Sequence, residues 1–91
     1  MTTVQSYINQ NKDRFLQELF DLIKIPSISA DPAYDADVKK TAEFVSESLN
    51  KIGMDQVKIY ETKGHPIVYG EKILDPSYPT VLIYGHYDVQ P

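Results

Sequence analysis

The stretch Val81-Leu82-Ile83-Tyr84-Gly85-His86-Tyr87-Asp88-Val89-Gln90-Pro91 decides how the rest of this 91-residue chain is read. Val81 to Tyr84 is continuously apolar, the pattern of a strand with both faces covered by helices. It is read as a central strand, and the polar residues after it then fall at its carboxyl end. Ligand sites of α/β sheets lie there.

Working back along the chain, Val57 and Ile59 alternate with Lys58 and Tyr60, which describes a half-buried strand. Ile67 to Ile73 repeats the alternation more weakly. Thr62-Lys63-Gly64-His65-Pro66 between them is short enough for a hairpin link, and Pro66 places the second strand toward a sheet edge. Asp75 to Pro79 is another turn. Before Gly53 the period is helical. Val38, Ala42, Val45, Leu49 and Ile52 share one face, Asp35 or Asp37 can cap that helix, and Gly53 suits the left-handed position that closes it.

From Val4 to Ile25 the columns Phe15, Leu19, Leu22 and Leu16, Phe20, Ile23 predict a first helix with one broad buried face, ended by Pro26. Ile25 to Ala36 has no period and reads as a loop. Two helices followed by three strands, the last apolar on both sides, indicate a layered α/β domain.

The composition, 42% hydrophobic and 24% charged, is that of a folded globular chain. A net charge of −4 with no Lys/Arg stripe argues against nucleic acid as a ligand. With no cysteine, any metal must be held by His, Asp or Glu. The first residues lack the pattern of a secretion signal and no stretch is apolar enough for a membrane span, so a cytoplasmic protein with no membrane partner is expected.

His86 and Asp88 are two apart, so an extended backbone puts both on one face and Tyr87 on the other. A metal-binding imidazole commonly has a carboxylate fixing its tautomer, and this spacing supplies one. By itself His-x-Asp is a common pair, and a zinc site needs about three protein ligands.

Val81 to Pro91 closely resembles the first metal motif of metallopeptidase family twenty, the co-catalytic zinc enzymes that include carnosinase, cytosolic dipeptidases and aminoacylase. Ile25-Pro26-Ser27-Ile28-Ser29 resembles the loop after their first helix, Ala42-Glu43-Phe44 onward their second helix, and Ile67-Val68-Tyr69-Gly70-Glu71-Lys72 the stretch before the final turn. Tyr87 and Gln90 are similar to the dipeptidase and carnosinase branch rather than to the N-acyl amino acid deacylases.

The resemblance implies that residues 1–91 are the amino-terminal part of a catalytic domain of the α/β/α zinc exopeptidase type. It implies that His86 is a metal ligand and that Asp88 is the catalytic-site acid orienting its ring. The cofactor implied is Zn2+, a pair of ions per complete domain, with Mn2+ or Co2+ as alternatives. The substrate implied is a dipeptide or similar small amide. The bridging carboxylate, the general base and the other ligands are expected beyond Pro91, so the chain alone is expected to be inactive.

The remaining polar residues are read as structural. His65 matches no metal motif and is expected in a surface loop. Ser27 and Ser29 lack a nucleophile elbow and are assigned to capping or turns. Tyr60, Tyr69 and Tyr84 are expected to fill the core, and Asp31, Asp35 and Asp37 to serve as caps and solvated turns rather than a calcium loop. A non-enzymatic role as an interaction or oligomerisation module, or a fragment of a related N-acyl amino acid deacylase, is the rival reading. An uncovered Val81–Tyr84 strand would offer an open edge, and the chain is expected to self-associate.

Overall fold

The computed structural model describes residues 3–91. Helix α1 spans Val4–Ile23 and starts from a reciprocal cap: Thr3 Oγ1 accepts from the Ser6 amide at 3.1 Å, and Ser6 Oγ accepts from the Thr3 amide at 3.0 Å. It stops at Lys24, two residues before Pro26, as the proline requires.

A single 3-10 turn, Pro32–Tyr34, is capped by Asp31, whose Oδ1 accepts from the Ala33 amide at 2.9 Å. It leads directly into helix α2, Asp35–Lys51. Neither Asp35 nor Asp37 caps α2; its N-cap is Tyr34, with no side-chain bond, and both acids lie inside the first turn. There they face the positive end of the helix dipole instead. The far end closes as Gly53 predicts: at φ +91°, Gly53 donates to Asn50 O at 3.1 Å and Met54 to Leu49 O at 3.2 Å, a Schellman closure.

Strands β1, Gln56–Tyr60, and β2, Ile67–Glu71, form an antiparallel hairpin in the register Gln56↔Glu71 to Tyr60↔Ile67. Val57, Ile59, Val68 and Gly70 make up its less exposed face. A Cβ on Gly70 would sit 3.0 Å from Leu49 Cδ1, which shows how closely α2 rests on the hairpin. The core is correspondingly small: Val38 and Ala42 of α2 are buried, together with Thr41 and Ser27. The turn at Asp75 is held by Ser77, whose amide and hydroxyl both donate to Asp75 Oδ1.

The α/β class holds, but three expectations change. Among the described residues the sheet has two strands, and Val81, Leu82, Ile83 and Tyr84 pair with neither, at 82%, 88%, 87% and 91% exposure. A fully apolar strand needs ladder partners on its edges and cover on both faces, and the hairpin here is already backed by α2 on its one apolar face. For the same reason α1 has no sheet to cover. Phe15 and Leu22 are half-buried along a groove shared with Val45 and Leu49 of α2, while Leu16, Leu19, Phe20 and Ile23 stay exposed and no residue of α1 is buried. Tyr60 and Tyr69 do not fill the core either. They meet edge to face at 6.4 Å on the outer side of the hairpin, where Lys58 lies over the Tyr60 ring.

Candidate metal centre

The segment after Tyr84 returns to the body of the molecule through three contacts. The Val89 amide donates to Ser27 O at 2.9 Å, Tyr87 Oη donates to Pro66 O at 2.5 Å, and Ser29 Oγ donates to Asp88 Oδ2 at 2.5 Å. Tyr87, Asp88 and Val89 are half-buried as a result. The loop that ends α1 and the loop that joins the two strands thus form the seat on which residues 87–89 rest.

On that seat the expected pair comes together. His86 Nδ1 lies 2.7 Å from Asp88 Oδ1, and Tyr87 points elsewhere, to Pro66. An ionised carboxylate only accepts, so Nδ1 carries the proton in this contact, and in the neutral ring that leaves the lone pair on Nε2. The His86 side chain is 78% exposed. It borders a cleft of about 800 Å3 whose walls include Leu22, Val38, Val45, Pro66 and Tyr84.

Asp88 is held below the usual carboxylate range, first by the Ser29 hydroxyl and next by the His86 ring. Its ionised form is the one that grips Nδ1–H. Tyr87 is pushed up, chiefly by burial and then by the nearby Asp88 charge, so its phenol stays a donor to Pro66.

This donor set fits one metal position. An imidazole with Nδ1 tied to a carboxylate and Nε2 open is the form that ligates zinc. No group of three or more His, Cys, Asp or Glu that could hold an ion exists among the described residues, so an ion held at His86 Nε2 would need further ligands besides it.

Two further residues belong to the site that reading along the chain assigned elsewhere. Ser29 lies in the turn closed by the Asp31 amide on Ile28 O, as a turn residue should, but its hydroxyl also spans 59 positions of sequence to reach Asp88. His65 is half-buried rather than a surface loop residue, and its Nε2 lies 2.8 Å from Ser29 O, to which it donates. Nothing local signals either contact, because each depends on two loops meeting in space. Ser27, in the same loop, has a buried hydroxyl with no partner among the described residues.

A helix-backed hairpin followed by a carboxylate-held imidazole agrees with the metallopeptidase class that the sequence resembles. The chain is similar in sequence to metallodipeptidases over a segment of their length. It is 33% identical to the Cys-Gly metallodipeptidase DUG1 of Saccharomyces cerevisiae, with 100% of this chain and 21% of the relative covered. It is 39% identical to the Cys-Gly metallodipeptidase dug1 of Schizosaccharomyces pombe, over 92% of this chain and 20% of the relative. A cysteinylglycine-S-conjugate dipeptidase of Corynebacterium striatum is 29% identical over 99% of the chain.

A solved structure of the dipeptidase Dug1p from Saccharomyces cerevisiae superposes with a TM-score of 0.83 at 35% identity, covering 92% of this chain and 20% of that one. The chain therefore spans about a fifth of the length of the relatives it matches. No protein-family model matches it. Among the described residues no helix is long and apolar enough to cross a membrane.

Proposed function

We propose that this chain is part of a metal-dependent dipeptidase in which His86 is a zinc ligand through Nε2 and Asp88 fixes the ring. The observation that carries the reading is the 2.7 Å contact between His86 Nδ1 and Asp88 Oδ1 beside an open cleft. Bound there, a zinc pair would polarise an amide carbonyl and lower the pKa of a shared water. The chain's own residues bind and orient: Asp88 keeps the proton on Nδ1, and Ser27 and Pro66 hold the backbone and Tyr87. The names of the relatives make cysteinylglycine the first dipeptide to try, with manganese and cobalt as alternative metals.

In the full enzyme, His86→Ala is expected to remove one metal position and nearly all dipeptide hydrolysis. Asp88→Ala is expected to cost on the order of 10–100-fold, through a ring free to turn. Metal content by mass spectrometry and rate on cysteinylglycine check both, and equal occupancy and rate in wild type and His86→Ala would refute the assignment. With no cluster of ligands among the described residues beside His86, the 91 residues alone are expected to hydrolyse no dipeptide with zinc or cobalt added. Turnover that His86→Ala abolishes would overturn that.

A second reading, an interaction or self-association surface, is favoured by the exposed run Val81–Tyr84 and by Leu16, Leu19, Phe20 and Ile23 on α1. The two readings are compatible, since the apolar surface and the imidazole occupy different residues.

A further inference from the structure

The His86–Asp88 pair does not stand alone, because the second oxygen of Asp88 is occupied. Ser29 Oγ donates to Asp88 Oδ2 while Oδ1 faces His86 Nδ1, so the two contacts fix the carboxylate plane from both sides. Ser29 is in turn placed by two anchors on its own loop: His65 Nε2 donates to Ser29 O at 2.8 Å, and the Val89 amide donates to Ser27 O at 2.9 Å. A carboxylate held by one oxygen only can rotate about its Cβ–Cγ bond and release the ring. Held by both, it presents Oδ1 to Nδ1 continuously, and the proton stays on Nδ1.

We propose that Ser29 is a positioning residue for the metal centre: its hydroxyl locks Asp88 so that His86 is kept in the tautomer whose Nε2 lone pair is free for a metal ion. His65 supports the same lock from behind by fixing the Ser29 backbone. This inference deepens the metal-ligand reading of His86 and rests on it, while the lock itself exists without metal.

The lock is tested in the metal-free chain by nitrogen-15 NMR of the imidazoles at a pH where His86 is neutral, with His86→Ala assigning its signals. Wild type is expected to show mostly the Nδ1–H form of His86. Ser29→Ala, which removes the donor, is expected to shift the ring roughly tenfold toward the Nε2–H form, and Ser29→Thr, which keeps a hydroxyl, is expected to retain the wild-type ratio. A merely structural serine would change stability and leave the tautomer ratio where it was, so an unchanged ratio in folded Ser29→Ala overturns the proposal.

If Ser29→Ala loses its helical circular dichroism, Ser29→Cys, of nearly the same shape with a weak donor, is read with the same two outcomes. Zinc is then titrated into wild type. A perturbed Nε2 signal supports the ligand reading, with Ser29→Ala expected to bind about tenfold more weakly. A wild-type Nε2 signal indifferent to zinc refutes the ligand reading, and with it the metal-directed part of the proposal, whereas the tautomer comparison still decides whether Ser29 sets the ring.

Discussion

At the scale of single residues, the site is a chain of donors and acceptors that runs Ser29, Asp88, His86. Its charge sits on Asp88, and that gives a pH dependence of known sign. The folded carboxyl titrates below its ordinary value because the Ser29 hydroxyl and the His86 ring favour the ionised form. A depressed carboxylate contributes stability that is present above its unfolded pKa and is lost as pH falls through the folded value. The contact of residues 86–89 with the Ser29 loop is therefore expected to be intact at neutral pH and to loosen below the ordinary carboxylate range. Amide exchange at Val89, whose N–H donates to Ser27 O, reports it. In Asp88→Asn the acid-induced part of the loosening should vanish, and an acid transition of equal size in that variant would contradict the mechanism.

At the scale of elements, helix α2 organises what core there is. Its buried residues Val38, Thr41 and Ala42 face inward, and its carboxyl end is closed by Gly53. Val38 is 1% exposed, so Val38→Ala is expected to cost about 2 kcal/mol, a large share of the marginal stability typical of folded chains. A Cβ at Gly53 would meet nothing within 4 Å, yet its φ of +91° disfavours any L side chain. Gly53→Ala is accordingly expected to cost roughly 1–2 kcal/mol through the backbone alone, and Gly53→Asn less. Urea denaturation followed by circular dichroism measures both. Equal stability of Gly53→Ala and wild type would show that the helix end relaxes without cost.

At the scale of the whole molecule, apolar surface is left over. Val81 to Tyr84 and the exposed side of α1 present a run of large side chains that soluble monomers seldom leave uncovered. The isolated chain is expected to self-associate at about 100 µM, in the range where uncovered apolar surface drives aggregation. Leu82→Lys is expected to reduce that association without disturbing the His86–Asp88 contact. Light scattering on the two proteins distinguishes the outcomes, and a monodisperse wild-type monomer at that concentration rules the surface out as a driver.

The sequence by itself determined both helices, the hairpin with its Gly/Pro link, the Gly53 closure and the pairing of His86 with Asp88. All of these rest on residues near one another in the chain, where period, turn chemistry and a spacing of two are decisive. Only the tertiary structure decided that Val81–Tyr84 stays unpaired among the described residues, that α1 keeps an exposed face, and that Ser29 reaches Asp88 and His65 reaches Ser29. Those outcomes depend on which surfaces meet. An apolar pattern states that a face prefers cover but not whether cover is within reach, and a hydroxyl carries no mark of a carboxylate 59 positions away.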